Sequence, residues 1–164
     1  MAAASSGTAT VSLPTDEQIL IMREFDAPPH LVFEAYTTPE LVKRWWSGKR
    51  GTVTSVDIDL RVGGRWRYVM STDGGLEVAF HGEYREIVAP DRLVSTEVYE
   101  GAPGGDENGT LNVATFTEVD GRTVLEVLVQ CPSREIRDAI IGSGMEGGMQ
   151  EAMDELEQVA ISLA

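Results

Sequence analysis

The sequence predicts one α+β domain: a strongly curved antiparallel β-sheet wrapped around a long C-terminal helix, with two short helices after the first strand. Three patterns predict it. From about residue 52 to 131 the apolar period is two, and turn residues break it at short intervals. From Met145 on, Met145, Met149, Ala152 or Met153, Leu156 and Val159 recur at helical spacing. Ahead of both, Pro28-Pro29 and Pro39 each introduce a short helical pattern. With 164 residues and 42% hydrophobic content, the chain can bury one core but has little room for two.

Residues 1–15 are small, polar and aperiodic, so they are expected to be a disordered tail, with the domain proper spanning 16–164. QILIMREFD, residues 18–26, reads as a strand. HLVFEAYT reads as a short helix with Leu31, Val32 and Ala35 or Tyr36 inward. Thr38 is placed to cap a second helix, and Leu41, Val42, Trp45 and Trp46 supply its apolar side until Gly48. Six strands follow, near 52–61, 64–72, 76–88, 92–100, 110–118 and 122–130. Gly63-Gly64, Asp73-Gly74-Gly75, Pro90-Asp91 and Asp120-Gly121 mark reversals, which makes the strands antiparallel. APGGDENG, residues 102–109, is too rich in glycine and acid to pack and is expected to be a mobile loop. SREIRDAII forms a helical turn or two. Gly147 and Gly148 lie inside the terminal helix at about 1 kcal/mol each relative to alanine, so its first turns are expected to be loose or closely approached.

A formal net charge of -14 sets the field around the molecule against polyanions, and nucleic acid is not expected as a partner. Cys131 is the only cysteine, so no intrachain disulfide and no cysteine-based zinc site is expected. The residues at the start lack a secretory pattern and no apolar run approaches the roughly 20 residues that span a bilayer, so a cytoplasmic protein without membrane insertion is expected.

Few residues suggest catalysis. His30 begins a proline-led helix and reads as a surface residue. His81 lies on the outer face of LEVAFHGEY, opposite Leu76, Val78, Phe80, Gly82 and Tyr84; it is either a solvated strand histidine or a titratable residue turned by a bulge. In GGRWRYVM the alternation sends Trp66, Tyr68 and Met70 inward and Arg65, Arg67 and Val69 outward, which suits either core packing or a cavity wall. Met145, Met149 and Met153 offer the same two readings. Glu97 shares a face with Leu93, Ser95 and Tyr99; if that face is inward it is a semi-buried carboxylate, and otherwise an ordinary strand glutamate. The terminal helix carries Glu146, Glu151, Asp154, Glu155 and Glu157 without a basic residue, either as a solvated face or as a surface for a basic partner.

Five segments, LVKRWW, VDIDLRVGGRWRY, HGEYREIVAPDRLVST, VATFTEVDGRTVLEV and GMEGGMQEAMDEL, together resemble the family similar to the C-terminal domain of the activator of Hsp90 ATPase, within the START-like (SRPBCC) helix-grip superfamily of ligand-binding and aromatase or cyclase domains. The resemblance runs from about Ile19 to Leu163. It implies a sheet gripping the C-terminal helix around an elongated cavity. It implies no shared catalytic triad or cofactor, and no catalytic residue or metal site is expected.

In LVKRWWSGKRG one tryptophan is then expected to anchor the second helix and the other to border the cavity, with Lys43, Arg44, Lys49 and Arg50 around the rim. The expected ligand-binding set is Trp46, Trp66, Tyr68, Met70, Phe80, Glu97, Tyr99, Met145, Met149 and Met153. The leading expectation is a binder of a small hydrophobic or amphipathic ligand. The alternatives are a co-chaperone-like interaction protein and a cyclase or hydrolase using Glu97 as base; a protein partner or a homodimer is left open.

Overall fold

A computed structural model describes residues 8–102 and 104–164. Eight antiparallel strands form one sheet in the order β1-β2-β8-β7-β6-β5-β4-β3. In chain order these are β1 (Thr10–Ser12), β2 (Gln18–Phe25), β3 (Gly51–Ile58), β4 (Arg65–Thr72), β5 (Glu77–Val88), β6 (Arg92–Tyr99), β7 (Thr110–Val119) and β8 (Arg122–Gln130). Helices α1 (Pro29–Thr37) and α2 (Pro39–Trp45) follow β2, and α3 (Arg134–Gly142) and α4 (Met145–Ser162) close the chain. This is the α+β helix-grip architecture, reached because period-two alternation gives the sheet one apolar face and the apolar stripe of α4 needs a partner to cover it.

The prolines act as helix starters. Pro29 and Pro39 sit in the first turns of α1 and α2, where a missing N–H costs nothing. Thr38 occupies the cap position of α2, but its side chain makes no capping hydrogen bond there. Ser133, by contrast, accepts a hydrogen bond from the Ile136 N–H at 3.2 Å and starts α3, which runs longer than the turn or two expected.

The tail expectation needs correcting. Residues 1–7 lie outside the described residues, but Thr10–Ser12 pair with Met22–Leu20 along the edge of β2. That edge presents unpaired backbone groups that a short strand can cover. The Gln150 side chain on α4 completes the attachment, accepting from the Ala9 N–H at 2.9 Å and donating to the Ala9 carbonyl at 2.7 Å. A polar stretch without periodicity is thus ordered by partners far away in the chain.

The main core lies between the inner face of the sheet and the helices, with Ile19, Phe25, Val32, Val42, Leu125 and Leu156 nearly inaccessible. Arg23 also points inward among Ile19, Ile21 and Phe25. Its guanidinium meets Asp154 at 2.7 Å and Glu157 at 3.0 Å, and the other Glu157 oxygen accepts from the Asp26 N–H at 2.8 Å. Two acids of α4 therefore tie the helix to the end of β2 and are not simply solvated. Two further departures concern β4 and β5. Leu76, expected inward, precedes the strand and is 64% exposed. Ala79 and Val69, expected outward, are buried.

Candidate functional site

The grip is packed at one end and open at the other. Between β4–β8, β2, the α1–α2 segment and the first half of α4 lies a cavity of about 390 Å³. That volume falls within the range of roughly 300–1,000 Å³ usual for small-molecule sites. Its walls are mainly apolar, built from aromatic, thioether and aliphatic groups.

Of the two tryptophans of LVKRWW, Trp45 anchors the helix and both reach the cavity. Trp45 is buried, donates its indole N–H to the Ala35 carbonyl at 2.9 Å, stacks on Tyr36 with centroids 5.6 Å apart, and also reaches the cavity wall. Trp46 stands edge-on to Tyr68 and Phe80, with centroids at 5.4 and 5.6 Å, and forms part of the cavity wall. Of the four cations expected at the rim, Arg50 lies on the cavity lining. Its Nε bonds Glu151 on α4 at 3.3 Å, and the Lys49 N–H donates to the same carboxylate at 3.2 Å. The close approach anticipated for the α4 glycines is this arginine: a Cβ on Gly147 would come within 2.8 Å of its guanidinium.

Trp66, Tyr68 and Met70 from β4 and Phe80 from β5 face the cavity, as the alternation requires. Trp66 crosses over Gly82 on the neighbouring strand and donates its indole N–H to the Thr96 carbonyl at 3.2 Å. A Cβ on Gly82 would sit 2.5 Å from that indole nitrogen and closer still to the Thr96 carbonyl, so only glycine admits the ring there. Met145, Met149 and Met153 line the cavity from α4. Tyr99 is the exception in the expected set. It shares the face of Glu97 but lies at the end of β6, 42% exposed and packed on the Phe80 ring, outside the cavity lining.

Glu97 does face inward. Thr110 donates its hydroxyl to Asn112 Oδ1 at 2.8 Å, and Asn112 Nδ2 donates to Glu97 Oε1 at 2.9 Å. This relay across β6 and β7 fixes the amide orientation and commits one carboxyl oxygen. The carboxyl is half-buried by surface, and what it exposes looks into the cavity. Burial holds its acid above the ordinary carboxylate value, opposed by the Asn112 hydrogen bond. Nearby, burial pushes the Tyr84 phenol up to about 12, and the Tyr36 and Tyr68 phenols are raised by burial as well, so all three are neutral hydroxyls at physiological pH.

Sequence reasoning left Tyr36, Tyr84, Ser95, Thr110 and Asn112 out of the site. The signal existed: the alternation in TLNVATF puts Thr110, Asn112, Ala114 and Phe116 on one face, and all but Phe116 line the cavity. On the opposite face of the sheet His81 reaches Glu100 at 2.8 Å and Asp106 at 2.9 Å, while Arg67 forks onto the same Glu100 at 2.8 and 2.9 Å. Neither reading of His81 anticipated this. It sits on the outer face without a local bulge, yet both ring nitrogens are engaged. Asp106 belongs to a 3-10 turn, Gly105–Asn108, so part of the loop expected to be mobile is tied to the sheet. Among the described residues no group of three or more His, Cys, Asp or Glu side chains is arranged to hold a metal ion, and no helix is long and apolar enough to cross a membrane.

Comparison with known proteins agrees with this architecture. The family model described as activator of Hsp90 ATPase homolog 1-like protein matches residues 26–160. The chain belongs to this family. Among solved structures, it is similar to a protein of Rhodobacter sphaeroides at 25% identity and a TM-score of 0.86, over 94% of this chain and 99% of that one. A protein of Mycobacterium smegmatis matches at 27% identity and a TM-score of 0.82, covering 92% and 96% of the two chains. One from Arthrobacter aurescens matches at 26% and 0.82, covering 93% and 91%. No curated protein matches the sequence. Members of this family share the helix-grip frame, so what distinguishes this chain has to be read from its own cavity.

Proposed function

We propose that this protein binds a small hydrophobic or amphipathic molecule in the cavity between sheet and α4, in the cytoplasm. The observation that carries the reading is the wall itself: Trp46, Trp66, Tyr68, Phe80, Met145 and Met149 surround open volume where a filled core would place side chains. Thioethers and edge-on rings adapt to ligand shape at little cost. The polar relay through Thr110, Asn112 and Glu97 adds one oriented group, which is what a binding site for an amphipathic molecule needs.

A partner-binding reading draws less support, because Glu151, Asp154 and Glu157 of α4 already serve Arg50 and Arg23. A general-base role for Glu97 lacks a defined second group that would hold a reacting atom against it. The test is titration with an uncharged environment-sensitive fluorophore, on the unmodified protein and on Met149→Trp, where the larger side chain occupies the cavity. Saturable binding that Met149→Trp abolishes is expected. An unmodified protein that binds no such probe, and carries no co-purifying small molecule by native mass spectrometry, would refute the reading.

A further inference from the structure

Among the described residues that line the cavity Glu97 is the one carboxyl group, and no cation pairs with it. Glu97 Oε1 is taken by Asn112, and among the described residues no lysine, arginine or histidine pairs with Oε2. Among the described lining residues the single cation is Arg50, whose side chain is 51% exposed and already engaged by Glu151. Around Glu97 stand Tyr36 and Tyr68, with Trp46 and Phe80 edge-on to the Tyr68 side of the cavity. A lone carboxyl in an aromatic enclosure is the complement of a positive charge: the oxygen accepts its N–H donors, and the negative faces of the rings stabilise what remains exposed.

We propose that the cavity selects a hydrophobic amine, held as its ammonium with N–H donors on Glu97 and its apolar body against the aromatic and methionine walls. The inference rests on the cavity being a ligand site and goes further by naming the chemistry of the ligand. Three properties of the chain agree with it. Burial keeps the Glu97 acid raised even though Asn112 donates to it, as expected for a carboxyl without its counter-ion, and an incoming ammonium supplies that ion. The body of the protein carries a formal charge of -14, which raises the local concentration of cations and disfavours acids as ligands. The relay from Thr110 fixes the Asn112 amide so that its NH2 meets Oε1 and leaves the second oxygen for the guest. A fatty acid or other carboxylate would meet the opposite: an acid facing an acid, with the lining arginine, Arg50, already paired with Glu151.

The test uses one skeleton with three head groups: naphthylmethylamine, naphthylmethanol and naphthoic acid, each titrated by calorimetry at neutral pH into the unmodified protein and into Glu97→Gln. Glutamine keeps the shape and can still accept from Asn112, so the variant is expected to fold, as thermal unfolding will show. In the unmodified protein the amine should bind at least about tenfold tighter than the alcohol, the value of one charge-assisted hydrogen bond over a neutral one, and the acid weakest of all. In Glu97→Gln the amine should lose about that tenfold while the alcohol moves by less than about threefold. An amine preference that survives Glu97→Gln would assign it to the acidic surface and overturn the proposal. So would equal binding of amine and alcohol, or a preference for the acid, in the unmodified protein; in those cases the cavity reading stands and only the ligand class falls. If none of the three binds the unmodified protein, the cavity reading falls too, and this comparison needs no variant.

Discussion

The two halves of α4 carry the same kind of apolar stripe and do different things. From Leu156 to Ala160 the inward residues Leu156, Val159 and Ala160 are almost completely buried, locked by the Arg23 bridge to the end of β2. From Met145 to Ala152 the inward residues Met145, Met149 and Ala152 are only partly covered, because they face the cavity. Spacing on a helix therefore says which residues point inward, and the opposing wall decides whether they pack. Leu156 belongs to the filled core together with Phe25, whereas Met149 lines the cavity, and the first half of the helix becomes a surface of the site.

The contrast is open to direct tests by mutation. Leu156→Ala should cost about 2–5 kcal/mol of stability, as for a filled core position, whereas Met149→Ala should cost about 1 kcal/mol or less because no new close-packed void is made. Urea denaturation measures both, and equal penalties would erase the distinction between the halves. The reverse substitution sharpens it. Ala160→Leu inserts volume into a fully buried site and should cost about 1–3 kcal/mol, while Met149→Trp should cost less than about 1 kcal/mol, because its added volume has space to occupy.

A second contrast runs across the sheet at the end of β6, where Glu97 looks in and Glu100 looks out. Burial raises the Glu97 acid, so its stabilising contribution is full below the ordinary carboxylate value and is lost as pH rises through its raised value. Glu97→Gln should then be more stable than the unmodified protein at neutral pH by about 1 kcal/mol, with the advantage vanishing in acid. Equal stability of the two proteins throughout a pH series of thermal unfolding would show that burial imposes no penalty on Glu97.

Glu100 behaves oppositely. Arg67, and after it His81, hold its carboxyl down to about 2, so its contribution is present above the ordinary carboxylate value and is lost only as pH falls toward about 2. For His81, burial opposes the charge but Glu100 and Asp106 together outweigh it, leaving the imidazole above its usual 6.5. That contribution is full below the ordinary histidine value and fades as pH rises through the raised one. The smallest predicted effect follows: Asp106→Asn should bring the His81 titration, followed by NMR, back toward the ordinary value while stability changes by less than about 1 kcal/mol, since the Asp106 side chain is largely exposed. A His81 titration that does not move would remove Asp106 from the cluster.

Much of this was legible from residue patterns. Period-two alternation bounded by Gly63-Gly64, Asp73-Gly74-Gly75 and Asp120-Gly121 located the hairpins to within a few residues, because strand faces and reversals depend on local backbone chemistry. It also pointed Trp66, Tyr68, Met70 and Phe80 to one side. The attachment of β1 was not legible, since Thr10–Ser12 become a strand only because the β2 edge and Gln150 are waiting for them. Nor was the His81 cluster, whose members come from β4, β5, the end of β6 and a 3-10 turn.

The site divides along the same line. The sequence by itself determined the inward faces, the helix starts at Pro29 and Pro39, the inward methionines of α4, and an acidic molecule with one domain's worth of apolar residues. Only the tertiary structure decided that Glu97 faces inward with Asn112 on one oxygen, that Tyr99 stays outside the lining, that Trp45 anchors the helix while both tryptophans reach the cavity, and that a space remains between helix and sheet. The reason is physical. Which way a side chain points is set by periodicity along the chain, but whether it meets another atom, a cavity or water depends on how far apart the opposing elements are held, and that distance is set by contacts such as Arg23 with Glu157 and Arg50 with Glu151, which join residues more than 100 positions apart.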